Sequence, residues 1–584
     1  MRPFVLLLAS LLFAALPARA AVFTVGGDAA CTHGSLLAAI SAAAINGPAL
    51  DEIRLANNIA YDSIIAPIAS HSVTVRGGYT TCAAATATGR TVIRGTTAGT
   101  SGTFATSGAT GFHQLVLENL ELREGGNNTR RGGALRIEGA FGVTLRNVTI
   151  TENLAGRGGG IYLDGTNEAQ LDMDGFTLVS SNVARVGGGG IYCINGGIVR
   201  MRGAIIANTA EDGGSDPLES GNGGGMALYD CRSEQAGAGG FIGVFANTAA
   251  RNGGGYYLRG GSELVVDGNS GAPGYVTDNT AGEIGGGIAI DDTLAPRTSE
   301  VDLDNSYVER NIALRGGGIG LVSGGIVRST RTAAAGACHN ETYCSTLSDN
   351  APPTGEIGLG CGAYVGPGGE LRLRGTRVEG NCPAGSGWTF RIKGSARLLL
   401  DSAIVADNGG ANPFFFESNF TGLLEIAWST VTRNFASLHT GMFTVPSDGT
   451  SSGTLRVYGT ILGEPFQQFV VVGGFGGPPP MTFTYDCLVV DSNFASSVNP
   501  TRSVSMAPPY GMVAPATGNY RLASGTSLPV DWCDASLGAR AGGDAGGNPA
   551  IYDAPRFNQF GERDIGAYEL VVAAAPPLFA NGFE

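Results

Sequence analysis

Three sets of aspartates carry the side chains best suited to catalysis in this sequence. They are Asp172 and Asp174, Asp302 and Asp304, and Asp401. Paired carboxylates act as acid and base in glycoside hydrolysis, and carboxylates that hold Ca²⁺ beside an arginine or lysine serve polysaccharide lyases. Either chemistry requires carboxylates from neighbouring strands to lie together on one surface. The elements that position the aspartates therefore decide whether a site exists.

These aspartates lie among repeats that run from Leu145 to Asn434. Each repeat has an Asn, a few residues, a run of glycines and an apolar strand, as in Asn182-Val-Ala-Arg-Val-Gly-Gly-Gly-Gly-Ile-Tyr192. The repeated asparagines are Asn153, Asn182, Asn208, Asn247, Asn279, Asn311, Asn350, Asn381, Asn408 and Asn434. They recur every 26 to 39 residues. A repeat of that length is typical of a solenoid or a propeller.

The residues before each Asn favour one kind of solenoid. Positions ten, eight and three before it are apolar, as Leu371, Leu373 and Val378 are before Asn381. The two-residue spacing places the first pair on one face of a strand, and the small or polar residues that follow turn the chain into the next strand. We therefore predict an all-β, right-handed parallel β-helix. Its Asn column is expected to form an amide ladder and to tolerate a left-handed backbone.

In that register the aspartates do not form a cluster. The position seven before the Asn holds Arg146, Asp304, Arg374, Asp401 and Ala427 in different repeats. Rungs also separate Asp172 and Asp174 from Asp302 and Asp304. We interpret these carboxylates as solvated strand faces and assign no catalytic, cofactor-binding or metal-binding residue. The alternative is a carbohydrate-active β-helix enzyme, either a polysaccharide lyase or a glycoside hydrolase.

Residues 1–20 have the pattern of a secretory signal. Arg2 precedes an apolar run from Phe4 to Leu16, and Ala18-Arg-Ala20 offers small residues for cleavage. The run is too short to cross a bilayer, and no later stretch supplies 18 consecutive apolar residues. The mature chain is therefore predicted to be exported and to lack a transmembrane segment. A formal charge of −14 with a single lysine leaves no basic patch for nucleic acid.

The ten cysteines, an even number behind an export signal, indicate disulfide bonds formed outside the cytoplasm. Spacing pairs neighbours: Cys31 with Cys82, Cys193 with Cys231, Cys338 with Cys344, Cys361 with Cys382, and Cys487 with Cys533. No Cys-x-x-Cys spacing occurs and the five histidines are scattered, so a zinc site is not predicted.

Residues 21–110 are predicted to form a cap and the first rungs. The stretch from Ser35 to Ile45 is predicted to be a helix that places Leu36, Leu37, Ile40 and Ala44 near one face. A solenoid needs such a cap because an open terminal rung exposes core side chains and unpaired backbone. The repeats are predicted to span residues 111–465 and the closing rungs residues 466–570. Residues 571–584 are predicted to be a linker and a tail.

Three segments resemble parts of known bacterial proteins. Cys31 and Ser35-Leu-Leu-Ala-Ala-Ile40 resemble the N-terminal Cys-Ser-Leu-Arg-Glu-Ala-Ile segment of β-helix surface proteins, with Leu37-Ala38 in place of Arg-Glu. The Asn-x-Ala and Gly-Gly-Gly-Ile repeats are similar to those of polymorphic outer-membrane proteins. Arg563-Asp-Ile-Gly-Ala-Tyr-Glu569 resembles the strand that ends many bacterial β-helices. These resemblances imply a surface-attachment role on a Gram-negative cell.

The expected function is therefore binding. We expect a non-catalytic, monomeric, secreted or cell-surface protein, adhesin-like, whose partner is a polysaccharide or another surface ligand. Insertions in a solenoid project from its side while the rungs keep their register. Ligand contact is accordingly expected in the two longer intervals, Asn208 to Asn247 and Asn311 to Asn350.

Overall fold

The computed structural model of this chain is a parallel β-helix of about 14 turns. It describes residues 20–96, 102–108, 111–216, 218–236, 242–268, 272–329, 345–383, 387–434, 441–446, 450–463, 468–473, 481–492, 502–523, 529, 533 and 563–567. Within these residues the structure is nearly all β, with a single α-helix, and the predicted parallel solenoid is confirmed. At a strand spacing of about 4.8 Å, 14 turns give a rod roughly 65 Å long.

Four parallel sheets run along the described part of the rod. Sheet A contains β1 (Val22–Val25), β2 (Asp51–Ala56), β5 (Val73–Tyr79), β8 (His113–Glu118), β11 (Phe141–Arg146), β15 (Gln170–Met173), β19 (Ile198–Met201), β23 (Arg232–Ala236), β27 (Glu263–Asp267), β31 (Glu300–Asp304), β34 (Ile326–Ser329), β37 (Glu370–Arg374), β40 (Arg397–Asp401), β43 (Leu423–Ala427), β46 (Thr454–Tyr458) and β49 (Thr482–Asp486). Sheet B contains β3 (Tyr61–Ile64), β6 (Thr91–Gly95), β9 (Leu120–Arg123), β12 (Thr149–Thr151), β16 (Leu178–Ser180), β20 (Ala204–Ile206), β24 (Gly243–Phe245), β28 (Gly274–Thr277), β32 (Ser306–Glu309), β35 (Ser345–Ser348), β38 (Thr376–Glu379), β41 (Ile404–Ala406), β44 (Thr430–Thr432), β47 (Ile461–Leu462), β50 (Val489–Asp491) and β51 (Val504–Met506).

Sheets C and D complete each turn. Sheet C contains β4 (Ala66–Ala69), β7 (Phe104–Ser107), β10 (Leu135–Ile137), β14 (Ile161–Asp164), β18 (Ile191–Ile194), β22 (Met226–Tyr229), β26 (Tyr256–Arg259), β30 (Ile288–Asp291), β33 (Ile319–Ser323), β36 (Gly358–Val365), β39 (Gly387–Ile392), β42 (Asn412–Phe416), β45 (Gly441–Pro446) and β48 (Gln468–Gly473). Sheet D is short and contains β13 (Leu154–Arg157), β17 (Val183–Gly187), β21 (Thr209–Ala210), β25 (Thr248–Ala249) and β29 (Thr280–Ala281). An antiparallel pair, β52 (Met512–Ala514) and β53 (Asn519–Leu522), lies outside the solenoid sheets.

Apolar columns inside the solenoid form one continuous core. Leu371 pairs in register with Leu398, and Leu373 with Leu400, so that like residues stack on like. All four side chains are buried. Strand alternation sends the intervening residues outward, where charged side chains on sheet A form ion pairs between and within rungs, such as Arg76 with Glu52 and Glu118.

An unbroken ladder of asparagine side chains joins the rungs from Asn153 to Asn434. In a typical link, the backbone N and Nδ2 of Asn279 donate to Oδ1 of Asn311, at 3.0 and 3.1 Å. Nδ2 also donates to the carbonyl oxygen of Val244, at 2.9 Å. Oδ1 of Asn279 accepts the same two bonds from Asn247. Each buried amide therefore satisfies both its donors and its acceptor.

The left-handed backbone lies one residue earlier than the sequence indicated. The residue before every ladder Asn has a φ between 51° and 63°, whereas the Asn itself does not. These residues are Glu152, Ser181, Ala207, Ala246, Asp278, Arg310, Asp349, Gly380, Asp407 and Arg433. The ladder requires each Asn side chain to point into the solenoid. The residue before the Asn therefore makes the tight turn and takes the left-handed conformation.

The backbone of the glycine runs packs directly against the backbone of the sheet D strands. Each sheet D strand buries an alanine two residues after the ladder Asn, as Ala249 and Ala281 do after Asn247 and Asn279. At Gly158 the backbone has a φ of 64°, which favours glycine. At Gly189 a Cβ atom would come within 2.6 Å of the carbonyl carbon of Thr209 in the next rung. The glycine runs therefore allow two backbone segments to approach where no side chain fits.

The N-terminal end carries the helix α1 (Leu36–Ile45), which packs against β1, β2 and β4. The hydroxyl of Ser35 caps the helix by accepting from the backbone N of Ala38. The helix buries Leu36, Ala39, Ile40 and Ala43. Leu37 and Ala44, which are predicted to share one face with Leu36 and Ile40, are exposed, so the predicted face is wrong at these two positions. The helix has two apolar faces that both contain Ile40. The face with Leu36 packs against the strands, and the face with Leu37 is exposed.

The C-terminal segment packs along the side of the solenoid. Arg563 forms an isolated bridge with Cys533, Gly566 N donates to the Gly459 carbonyl, and Ala567 N donates to Thr430 Oγ1. A second apolar cluster results, in which Trp428 is fully buried. Residues 563–567, from the segment that resembles a closing strand, thus lie against the outer face of sheet B, and the rest of that segment lies outside the described residues.

Four of the five cysteine pairs suggested by spacing form disulfide bonds. They are Cys31–Cys82, Cys193–Cys231, Cys361–Cys382 and Cys487–Cys533. The Cys338–Cys344 pair, the signal segment before Ala20 and the tail after residue 570 lie outside the described residues. In the described part of the chain, no helix is long and apolar enough to cross a membrane.

Two neighbouring leucines test the register of sheet A. Leu400 is buried and Leu399 faces outward between Arg372 and Glu425. Leu400→Asp should cost at least about 3 kcal/mol of unfolding free energy because it places an unpaired charge in the core. Leu399→Asp should cost about 0.5 kcal/mol or less. Denaturant titration measures both variants, and equal losses would show that the inward and outward positions are misassigned.

The ladder predicts a large penalty for a small truncation. Asn279→Ala removes the acceptor of two buried donors of Asn247 and the Nδ2 donor that bonds Val244 O and Asn311 Oδ1, so we expect a loss of about 3–5 kcal/mol. Asn167→Ala, at an exposed position, is the matched control and should change stability by about 0.5 kcal/mol or less. A loss below about 1 kcal/mol for Asn279→Ala would contradict a stabilising role for the ladder.

Candidate ligand-binding cleft

The structure does not bring the predicted aspartate pairs together. Asp172 lies on β15 and Asp302 on β31, and three strands of sheet A separate them. Asp172 lies 3.5 Å from Arg200, and Asp302 lies 3.6 Å from Arg328. Asp174 accepts hydrogen bonds from Asn147 N and Thr177 Oγ1, which fixes the corner after β15. Ion pairs and a turn therefore account for these side chains; Asp304 follows on the same outward face of β31.

Asp401 occupies a more enclosed place on the outer face of sheet A. It lines a cavity of about 270 Å³ together with Arg328, Arg372, Arg374 and Tyr458. A carboxylate oxygen of Asp401 lies 3.9 Å from Arg374 Nε. The hydroxyl of Tyr458 donates to Glu425, a second carboxylate at this cavity. Glu425 lies 3.7 Å from Arg456, so each carboxylate has an arginine near it.

A larger cleft of about 520 Å³ lies on the outer face of sheet C, and we call it the tyrosine cleft. Its lining consists of Arg131, Arg157, Tyr162, Tyr192, Ile194, Asn195, Glu219, Tyr229, Asp230, Arg259, Gly260, Leu294, Ala295, Pro296 and Arg297. These residues come from successive turns between β10 and β30. The cleft therefore extends along the rod axis, across the strands.

Stacked tyrosines form the floor of the cleft. Strand alternation turns Ile191 and Cys193 into the core and Tyr192 outward. The rings of Tyr162 and Tyr192 are nearly parallel, with centroids 5.8 Å apart, and Tyr229 follows at 5.1 Å from Tyr192. The Tyr162 and Tyr192 rings are themselves buried, so they support the cleft more than they face its interior.

Arginines that precede the glycine runs cover this floor. Arg131 lies over the ring of Tyr162 at 5.4 Å, and Arg157 lies over the ring of Tyr192 at 5.9 Å. Each arginine thus contacts the tyrosine of the following rung, where the cation is attracted to the ring face. The guanidinium groups, and not the rings, are the side-chain surfaces presented to a ligand.

One wall of the cleft belongs to the first of the two longer intervals, Asn208 to Asn247. The hydroxyls of Tyr229 and Tyr257 donate to the carbonyl oxygen of Leu218, at 3.3 and 3.2 Å. These bonds hold Glu219, whose carboxylate pairs closely with Arg157. The inserted segment is therefore fixed to the rungs by these two tyrosine hydroxyls. In the second longer interval, residues 330–344 lie outside the described residues.

The opposite wall is the loop between β30 and β31. Asp292 anchors it by accepting from Gly260 N at 3.0 Å and from Ser299 Oγ at 2.8 Å. Arg297 pairs closely with Asp230 across the cleft. Leu294, at the tip, is 93% exposed. The loop places an apolar side chain and an arginine beside the opening.

The floor tyrosines of this cleft are protonated at neutral pH. Burial raises the pKa of the Tyr162 hydroxyl to about 12. Burial also raises the pKa of Tyr192, and the neighbouring carboxylate of Glu219 adds to that shift. Both hydroxyls therefore stay protonated at neutral pH and can donate hydrogen bonds but cannot serve as bases. Glu219 and Asp230 are each paired with an arginine.

One cluster among the described residues has the composition of a metal site. Asp28, Cys31 and Cys82 bring their ligand atoms within 4.8 Å of one another. The two cysteines form a disulfide bond, and a disulfide sulfur lacks the thiolate charge that binds a metal. Asp28 accepts hydrogen bonds from Cys82 N and Asn58 Nδ2. The cluster cross-links segments of the N-terminal cap through the disulfide bond and the Asp28 hydrogen bonds.

Sequence reasoning missed the cleft, although two signals for it exist. An aromatic residue follows Ile at the end of several glycine runs, as at Tyr162 and Tyr192, and an arginine precedes some runs, as at Arg131 and Arg157. Read together across rungs, these columns indicate a cationic, aromatic outer face.

No protein-family model matches this chain, and a search of curated proteins finds no match. A functional proposal therefore rests on the fold and on the cleft.

The Cys193–Cys231 disulfide supports the cleft from beneath, since Tyr192 and Asp230 precede its two cysteines. Cys193→Ala with Cys231→Ala should lower the unfolding free energy by about 4 kcal/mol, because the bond closes 38 residues. Cys31→Ala with Cys82→Ala is a matched control, with a separation of 51 residues and a similar expected loss.

Hydrogen exchange distinguishes the two double variants. The first should speed exchange in β18 and β22 and leave β1 and β2 unchanged, and the control should do the opposite. Faster exchange at the N-terminal cap alone in the first variant would contradict this assignment.

Proposed function

We propose that this protein is a non-catalytic, secreted or cell-surface binding protein, adhesin-like in role, that holds a polysaccharide in the tyrosine cleft. The observation that carries the proposal is the cleft itself: an elongated, amphipathic opening on a rigid solenoid, lined by guanidinium groups over a tyrosine floor. Such a concave surface with a few placed polar groups is typical of ligand sites. Its length along the rod suits an extended polymer better than a compact molecule.

Two further features support an attachment role. The repeats resemble those of polymorphic outer-membrane proteins, whose β-helical regions serve surface attachment. The disulfides fit folding in an oxidising compartment, as expected of an exported chain. A solenoid also presents its side loops on a rigid support, so that binding requires little ordering of the protein.

The competing function is a carbohydrate-active enzyme. Its strongest support is Asp401, which lies in the smaller cavity beside Arg374. A direct test must therefore measure both binding and turnover.

Blocking the cleft should abolish binding without unfolding the protein. Ala295 lines the cleft on its loop wall, so Ala295→Trp should fill it and weaken retention on immobilised polysaccharides by at least about tenfold. Ala69→Trp, at an exposed position on sheet C, should bind like the wild type. The measurement is retention and chain-length analysis on pectic, alginate and glycosaminoglycan polymers. Shortening of any polymer by the wild type, lost in Asp401→Asn, would replace this proposal with the enzyme.

A further inference from the structure

The charges of the tyrosine cleft identify the chemistry of its ligand. We infer that the ligand is an anionic oligosaccharide, carrying carboxylate or sulfate groups, and that Arg131 and Arg259 hold two of those groups at the two ends of the cleft. This inference rests on the proposed function and names the substrate class of the same site.

The charges lining the cleft oppose those of the protein as a whole. The chain has a formal charge of −14, whereas four arginines and two carboxylates line the cleft and leave it with a formal charge of +2. Arg157 is compensated by Glu219, and Arg297 by Asp230. The uncompensated charge therefore resides on the remaining two arginines, Arg131 and Arg259.

Neither of these two arginines has a carboxylate committed to it. The nearest carboxylate to Arg131 is that of Glu138, at 4.0 Å, and Arg136 binds Glu138 more closely, at 2.6 Å. Arg131 has 49% of its side chain exposed. Arg259 donates from Nη2 to the carbonyl oxygen of Thr293, at 3.0 Å, which supplies no negative charge. A guanidinium with remaining donors binds a carboxylate or sulfate through two hydrogen bonds.

Several arginines on sheet A are instead paired with carboxylates. On sheet A, Arg397 pairs with Glu370 at 2.9 Å, and Arg328 pairs with Glu300 at 2.6 Å. Such pairs neutralise the outer face of that sheet. A polyanion that is repelled by the acidic surface as a whole would therefore find its attractive region at the cleft.

The spacing of the two arginines calls for an oligomer. Arg131 lies over Tyr162 on β14, and Arg259 lies on β26, three strands further along sheet C. At about 4.8 Å per strand, the two guanidinium groups are separated by roughly 14 Å along the rod. A single acidic sugar cannot contact both, whereas a chain of several sugars with repeated acidic groups can.

The apolar part of the cleft favours a sugar over other polyanions. Ile194, Ala295 and Pro296 line the space between the arginines, and Leu294 stands at its edge. The C–H groups on the face of a sugar ring can pack against these apolar side chains, and the sugar hydroxyls can form hydrogen bonds with Asn195. Nucleic acid would instead require a continuous run of phosphate contacts, which two uncompensated arginines do not provide. An acidic peptide is the remaining competitor and enters the test as an outcome.

The test measures the affinity of the full chain for defined oligosaccharides by calorimetry. The probes are an oligoguluronate hexasaccharide, a sulfated hexasaccharide, cellohexaose as the neutral control, a guluronate disaccharide and oligoglutamate. We expect either acidic hexasaccharide to bind at least about tenfold more tightly than cellohexaose and than the disaccharide, and the preference to fall with added salt.

Arginine variants locate the effect. Arg131→Gln and Arg259→Gln should each weaken binding of the acidic hexasaccharide by at least about tenfold and leave cellohexaose unaffected. Arg456→Gln, an exposed arginine on sheet A, is the matched control and should bind like the wild type.

The outcomes separate this inference from the proposed function. If cellohexaose binds as well as the acidic sugars and Ala295→Trp still blocks it, the cleft binds polysaccharide but the anionic assignment is overturned. Tighter binding of oligoglutamate than of either acidic sugar also overturns it. If no sugar binds and Ala295→Trp has no effect, the proposed function itself fails.

Discussion

The asparagine ladder is the interaction on which the rest of the solenoid depends. Each rung is a chain of short strands and tight corners, and none of these elements is stable alone. The ladder places a polar, fully buried amide at the same corner of successive rungs, and its hydrogen bonds can be completed only when the neighbouring rung supplies the next amide in register. A slip of one residue would bury unpaired donors and acceptors, which is costly. Sheet register, the inward apolar columns and the outward charges all follow from that condition.

Much of the fold could be predicted because equivalent residues of successive repeats stack on one another, so that a local sequence pattern also specifies contacts between distant residues. The spacing of Leu371 and Leu373 fixes their inward direction, and repetition then fixes their neighbours. The prediction of the buried helix face failed because the sequence of α1 offers two apolar faces of similar quality. In α1, the stripes through Leu36 and through Leu37 both contain Ile40, and only the positions of β1, β2 and β4 decide between them. The position of residues 563–567 beside sheet B was not predictable for a related reason, since a strand-like sequence does not reveal whether it extends the stack or lies beside it.

The tyrosine cleft could not be predicted residue by residue because its parts meet only in the folded rod. Tyr162 and Tyr192 are consecutive in the stack but thirty residues apart in the chain, and Glu219 reaches them from an insertion whose path depends on two buried hydroxyls. Glu219 lines the cleft and comes from the longer interval between Asn208 and Asn247. Conversely, the aspartates that the sequence offered as catalytic candidates have structural roles. Asp172 and Asp302 pair with arginines, and Asp174 accepts a hydrogen bond at a turn.

The side-packed C-terminal segment has a mechanical consequence. Residues 563–567 bond to Thr430 and Gly459, which belong to rungs before the last strands β49 to β51. A pulling force applied beyond Ala567 would therefore enter the rod from its flank and shear this segment from sheet B, instead of unzipping the terminal rung one hydrogen bond at a time. The Cys487–Cys533 bond ties the same region to the stack and limits how far it can be drawn away. A force that enters the rod there would leave the tyrosine cleft, several rungs away, undistorted.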